Sequence, residues 1–244
     1  MFLFVPEEKD LNIQGISTIT RSNNQSYIAL KDINNEKRIV VYFNSKILRF
    51  SDPFAAKSIA LSDIGLMLVS FESSNQGFIR LLRIETNNIS NKDEKVGILK
   101  FGSGLSITPD GSKAAVGSPL VGKVYIYDIN PSTAEFQSTV HVIEVPSSLA
   151  SQYSGSEFGS KIALSESGNT IAIAAPKYKE SGIEIGAVLL YTKLESGWTF
   201  LNNIVKGTSS STKYGVAGLA IDDTIGRLDV TDFQGEVTNL KVSI

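Results

Sequence analysis

The sequence predicts an all-β protein, a five-bladed β-propeller of four-stranded antiparallel blades closed by its N-terminal strand. Three observations predict it. Two stretches of the chain repeat each other almost position for position. Tight-turn signals recur at blade-like intervals along all 244 residues. No segment carries a sustained helical period with caps, so helix should be scarce.

The two clear copies set the pattern. Phe101-Gly102-Ser103 leads to Ser106-Ile107-Thr108-Pro109-Asp110-Gly111, then to Ala114-Ala115-Val116-Gly117-Ser118-Pro119 and Val124-Tyr125-Ile126-Tyr127. Phe158-Gly159-Ser160 leads to Ala163-Leu164-Ser165-Glu166-Ser167-Gly168, then to Ile171-Ala172-Ile173-Ala174-Ala175-Pro176 and Val188-Leu189-Leu190-Tyr191. Phe to turn Gly is ten residues in both, and that Gly to Pro is eight in both. A repeat of this length means an array of small sheets, each unable to bury its apolar faces alone.

Weaker copies extend the array in both directions. The first unit has Ile16-Ser17-Thr18-Ile19-Thr20, a polar turn at Asn24, Tyr27-Ile28-Ala29-Leu30 and Arg38-Ile39-Val40-Val41-Tyr42. The second turns at Gly65 between Ser58-Ile59-Ala60-Leu61 and Leu66-Met67-Leu68-Val69, then runs through Phe78-Ile79-Arg80-Leu81-Leu82. The last turns at Gly226 between Leu219-Ala220-Ile221 and Leu228-Asp229-Val230, ahead of Glu236-Val237-Thr238-Asn239-Leu240. The turn positions Asn24, Gly65, Gly111, Gly168 and Gly226 are 41, 46, 57 and 58 residues apart. The repeats are therefore 14–50, 52–100, 101–157, 158–211 and 212–244 plus 1–5, one domain over 1–244. Short Ile-, Val-, Leu- and Tyr-rich runs bounded by Gly, Asn, Asp, Ser and Pro read as strands. Fourth, outer strands are expected at 46–50, 96–100, 141–145 and 198–204. The fifth unit lacks one, and the apolar run Met1-Phe2-Leu3-Phe4-Val5 is its expected donor, pairing near 236–243 to close the ring and remove exposed edges.

The units resemble FG-GAP repeats, which build the propeller of integrin α chains. Phe101-Gly102 and Phe158-Gly159 match the Phe-Gly signature. Gly117-Ser118-Pro119 and Ala174-Ala175-Pro176 match Gly-Ala-Pro loosely. Gly122-Lys123-Val124-Tyr125-Ile126-Tyr127 and Gly186-Ala187-Val188-Leu189-Leu190-Tyr191 match the strand that follows. The Asp-Gly turn also resembles WD40-like propellers, the second choice. Integrin-type propellers have seven blades and calcium-binding loops. Here one or two carboxylates per turn cannot cage a hard cation, so no metal site and no calcium dependence are expected.

The formal net charge of −2, with 20% charged residues, offers no basic stripe for nucleic acid. No apolar run is long enough to span a membrane, and residues 1–5 lack the basic flank of a signal peptide. The expected location is accordingly a soluble one, cytoplasmic or within a larger assembly such as a virion. Zero cysteines exclude disulfides. The sequons at Asn24 and Asn88 read as chance matches without a secretion signal.

No catalytic residue and no cofactor emerge. His141, the single histidine, sits in an alternating run typical of an outer strand. Asp63, Asp110, Glu166 and Asp222 recur at the end of each first strand, which argues for turn capping. Asp229 and Asp232 break the repeat and are the remaining acid candidates. Trp198, the sole tryptophan, reads as interblade packing. Loops carry more: 131–139, 146–156 and above all 176–186, an insertion against the 119–122 of its sibling. Lys177, Tyr178, Lys179 and Glu180 place an aromatic among charges, as an interface wants, and are the candidate partner-binding residues. Shortening that loop should leave the fold intact. The sequence thus reads as a non-catalytic module for protein binding or structural assembly. A carbohydrate-binding lectin is the alternative and a glycoside-active enzyme the third reading.

Overall fold

A computed structural model describes residues 16–21, 27–32, 38–43, 46–210, 213–232 and 234–242. Five antiparallel sheets follow one another along the chain, and their innermost strands neighbour each other in sequence order around an axis. The first sheet holds β1 (Ile16–Arg21), β2 (Tyr27–Asp32), β3 (Arg38–Phe43) and β4 (Lys46–Ser51). The second holds β5 (Ala56–Leu61), β6 (Leu66–Glu72), β7 (Gln76–Ile84) and β8 (Ile89–Ile98). The third holds β9 (Leu105–Ile107), β10 (Lys113–Ser118), β11 (Lys123–Asn130) and β12 (Glu135–Glu144). In the fourth, a two-strand hairpin of β15 (Lys179–Glu180) and β16 (Ile183–Glu184) interrupts the series β13 (Ile162–Leu164), β14 (Thr170–Ala175), β17 (Ala187–Leu194) and β18 (Gly197–Lys206). The last sheet has three strands among the described residues: β19 (Gly218–Asp222), β20 (Arg227–Thr231) and β21 (Val237–Lys241).

The architecture is a β-propeller. Five complete four-stranded blades are not what the described residues show: four sheets are complete and the fifth has three strands. The expected closing strand at residues 1–5 lies outside the described residues.

Two repeat-level features explain the motifs. Gly65, Gly111, Gly168 and Gly226 all have positive φ, between 63° and 77°, so the tight turn at each first-to-second strand junction uses the left-handed region that Gly enters freely. The Phe-Gly pair is an interblade wedge. Phe158 is 1% exposed, in a cluster that joins Val124 and Ile126 of the third blade to Ile171 and Ile173 of the fourth. A Cβ on Gly159 would lie 3.4 Å from the Gly117 Cα of the preceding blade. A Cβ on Gly117 would lie 1.8 Å from the Gly159 oxygen. The equivalent approaches are Gly102 to Ser70 and Gly215 to Ala174, each 2.5 Å from an added Cβ to the neighbour's Cβ. The small residues of each second strand therefore make room for the next blade's Phe-Gly (or Tyr-Gly) loop. Backbone hydrogen bonds repeat with the motif: Gly102 N–H donates to Gly117 at 2.8 Å, and Gly159 N–H to Ala174 at 2.9 Å.

The second strands β6 and β14 are buried on both faces: every residue of β14 is buried, as are six of the seven in β6. β20 alternates instead. Leu228 and Val230 are buried against the fourth blade, while Arg227 and Asp229 lie on the opposite, polar face with Asn239.

Two of the four outer strands depart from expectation. The strand expected at 46–50 is Lys46–Ser51, and that expected at 198–204 is Gly197–Lys206. The strand expected at 96–100 is Ile89–Ile98, and that at 141–145 is Glu135–Glu144. An outermost strand is largely solvated and needs no apolar run, so apolar clusters mark only its end. For the same reason the expected loop 131–139 is a short turn followed by β12, with Ala134 buried at φ 58°. The connector 146–156 carries a 3₁₀ turn (Ser147–Leu149) and a one-turn helix, α1 (Ala150–Tyr153).

Candidate functional site

Strand direction assigns the loops to two faces. The Gly turns between first and second strands lie on one, the turn face. The blade-to-blade connectors and the loop 176–186 lie on the other, the connector face. The two faces differ in chemistry.

On the turn face two of the recurring acids, Asp110 and Asp222, cap their own turns. Asp110 Oδ1 accepts from the Ser112 N–H at 2.9 Å and from the Thr108 hydroxyl at 2.6 Å. Partial burial opposes its ionisation, but these hydrogen bonds win and hold its pKa below the ordinary value. Asp222 accepts from the Thr224 and Ile225 N–H groups at 3.0 and 3.4 Å. In the Gly168 turn Ser167 takes this place, accepting from Asn169 N–H at 3.1 Å, and Glu166 aligns with Pro109 instead. The turn role thus falls to Asp or Ser, just before Gly in Asp110 and Ser167 and further ahead of Gly226 in Asp222. Inside the ring, innermost strands line a central channel of about 490 Å³. Its lining includes Ile59, Leu61, Ile107 and Leu164 together with Glu166 and Asp222.

The other chemical candidates are structural. Asp229 forms a two-pronged pair with Arg227, both contacts 2.7 Å. Asp232 is buried and caps its turn, accepting from Gln234 N–H at 2.8 Å and Glu236 N–H at 2.9 Å. His141 lies opposite Ile126 in the β11–β12 ladder. Trp198 packs against the cluster between the third and fourth blades. Tyr127 and Tyr191 are buried, so the recurring tyrosine serves packing. Among the described residues no group of three His, Cys, Asp or Glu could hold a metal ion. No helix of the described residues is long and apolar enough to cross a membrane.

The connector face carries the built surface. Tyr178 is 3% exposed, its ring 4.7 Å from that of Tyr153 in α1. Ile185, at the other end of the loop, is buried too. The aromatic expected to anchor a partner instead bolts loop 176–186 to the connector 146–156. The loop's charges point outward from that bolt. Lys177 pairs with Glu157 at 2.9 Å, Lys179 with Glu184 at 3.8 Å, and Glu180 with Lys206 at 2.7 Å. Glu157 also meets Lys100 at 3.3 Å. Glu157 is partly buried, which opposes ionisation, yet the two ammonium groups lower its pKa. Lys100 and Glu157 precede the two Phe-Gly pairs and both hold left-handed backbone, φ 64° and 58°. Such strain in a non-Gly residue costs about 1–2 kcal/mol. The sequence could not show this: the pairing joins two repeats 57 residues apart.

Three depressions adjoin along this face. One of about 260 Å³ lies between Lys57, Lys100 and Ser160; one of about 340 Å³ between Leu120, Val121 and Ser156; one of about 420 Å³ between Ser154, Lys177 and Lys179. Pro119 and Glu157 border the first two, and Ser154 and Gly155 the last two, so they read as one groove crossing the second to fourth blades.

No family model matches the chain. No curated protein matches it either. Solved structures do. Hsv2 of Kluyveromyces lactis superposes with a TM-score of 0.62 at 12% identity, over 94% of this chain and 62% of that one. The β-propeller domain of Cps50 (Swd1) from Myceliophteria thermophila gives 0.61 at 11% identity, over 90% and 68%. Hydrazine synthase of Kuenenia stuttgartiensis gives 0.55 at 15% identity, over 95% and 78%. This chain thus spans less than two thirds of the Hsv2 chain. At such identities the likeness is one of fold, the β-propeller, and FG-GAP identity finds no support in it.

Proposed function

We propose that this chain is a non-catalytic protein-binding module, a WD40-like propeller whose partner meets the connector face. The observation that carries this reading is the groove across the second to fourth blades, bordered by the two longest insertions of the repeat. An enzyme would bring unoccupied acids together at the channel; Asp110, Asp222, Asp229 and Asp232 are each committed to a turn or an ion pair. A lectin would repeat an accessible aromatic on each blade, and Tyr127 and Tyr191 are buried. Lys177, Lys179 and Glu180 are exposed in the interacting loop, with Tyr178 as its internal support.

The same reading keeps five blades, the last completed by residues 1–5. Its support is that the last sheet has three strands among the described residues where each other blade has four.

Purification of the tagged chain from its source, with a glycan array and a glycoside-hydrolysis screen, tests the proposal. A protein partner in near-stoichiometric amount, with no glycan bound and no sugar released, is expected. Saturable glycan binding or turnover of a glycoside would overturn it.

A further inference from the structure

We infer that the connector-face groove takes an extended acidic polypeptide segment bearing an apolar residue. This rests on the protein-binding reading and names the chemistry of the partner.

Three observations meet in the groove. The first is the sign of what a partner would touch. In four lysine–glutamate pairs the ammonium group stands outside the carboxylate, whereas Lys123–Glu144 beside the middle depression (39% and 57% exposed) and Lys206–Glu180 (36% and 53%) are reversed. The side chains of Lys57, Lys100, Lys177 and Lys179 are 46%, 44%, 52% and 58% exposed. Their partners Glu72, Glu157 and Glu184 are 26%, 23% and 32% exposed. The two outer depressions, which Lys57 and Lys100 and then Lys177 and Lys179 line, are cationic to a visitor, although the chain carries a net −2, and complementary charge steers and registers a partner. The second is apolar: Leu120 and Val121, at the tip of the β10–β11 turn, are 52% and 46% exposed beside the middle depression. The third is polar. Ser156 is 2% exposed, lines that depression, and its hydroxyl has no partner; the Ser160 hydroxyl, lining the first depression, has none either. Unpartnered buried hydroxyls are costly to a folded protein unless something binds them. A strand-like segment supplies what all three lack: backbone groups for the serines, one apolar side chain for Leu120 and Val121, and carboxylates for the lysines. Extended peptides are recognised by this combination of main-chain hydrogen bonds and side-chain pockets.

Random-peptide display on the full chain tests the inference. The variant Lys100→Glu/Lys177→Glu reverses the outward charge. A second variant, Lys100→Glu/Lys177→Glu/Glu157→Lys, restores ion pairing around position 157 and guards against a fold defect. Sequences pairing acidic with apolar residues should be enriched on the native chain. Their enrichment should fall at least tenfold on both variants, and binding should weaken with salt. Basic or uncharged peptides, or acidic ones that bind the variants equally, would overturn the groove's proposed chemistry and leave a protein-binding module standing. No enrichment of any peptide would overturn the groove inference, and a copurifying protein would then still carry the broader reading.

Discussion

Gly117 shows how single residues set the interblade spacing. Its Cα faces the backbone of Gly159, and a methyl there would lie 1.8 Å from an oxygen. Gly117→Ala should therefore destabilise by about 3 kcal/mol or more, because neither backbone can yield without separating two blades. Gly122→Ala is the control. Its φ is +63°, but nothing lies within 4 Å of the added Cβ, so only the conformational cost of about 1 kcal/mol applies. Urea unfolding of both variants checks the pair; equal losses would show that strain alone, not contact, governs these positions. Tyr127 makes a pH prediction. Burial pushes its hydroxyl pKa up to about 12 from 10. The folded state keeps its proton where the unfolded state loses it, so the stability it contributes is complete below pH 10 and falls as pH rises through about 12. Tyr127→Phe should flatten the alkaline limb of a stability-versus-pH curve between these values. An unchanged slope would remove Tyr127 from the account of alkaline unfolding.

The elements show what was and was not legible in the sequence. First and second strands could be read where, as in β6 and β14, both faces of the second strand are buried and the run is largely apolar. The turn glycines could be read as well, since only a left-handed position demands Gly at that spacing. The outer strands β4 and β18 could be read, but β8 and β12 only at their ends, since solvent on their outer side allows Ser90, Lys92 and Glu94 within β8. The candidate loop was located by its length alone. Tyr178 among lysines looks like a surface anchor in one dimension, and only the fold brings Tyr153 onto its ring. This changes an expected outcome. Cutting 176–186 to the length of 119–122 removes Tyr178 and Ile185 from the core. It should cost several kcal/mol, since truncating a buried aromatic alone costs about 3–5 kcal/mol. Tyr178→Ala, followed by thermal melting, isolates the aromatic's share. A melting temperature within a degree of the native chain would mean the bolt adds nothing.

At the scale of the whole molecule, one face carries the capped turns and the other the groove. Capping acids, channel walls and buried tyrosines all serve the fold, and the chemistry left over gathers where connectors and the insertion meet. Completion of the last blade by residues 1–5 predicts a sharp loss of stability on their deletion, since an edge and several large apolar side chains of about 1.5–3 kcal/mol each are involved. A truncated chain that melts like the full one refutes that pairing without touching the interaction surface. The surface itself is most directly tested by lysine cross-linking and mass spectrometry of the chain with the protein that copurifies with it. Lysines mark both faces: Lys57, Lys100, Lys177 and Lys179 on the connector face, Lys46, Lys113 and Lys193 on the turn face. Cross-links concentrated on the first four are the predicted result. Cross-links concentrated on Lys46, Lys113 and Lys193 would contradict it.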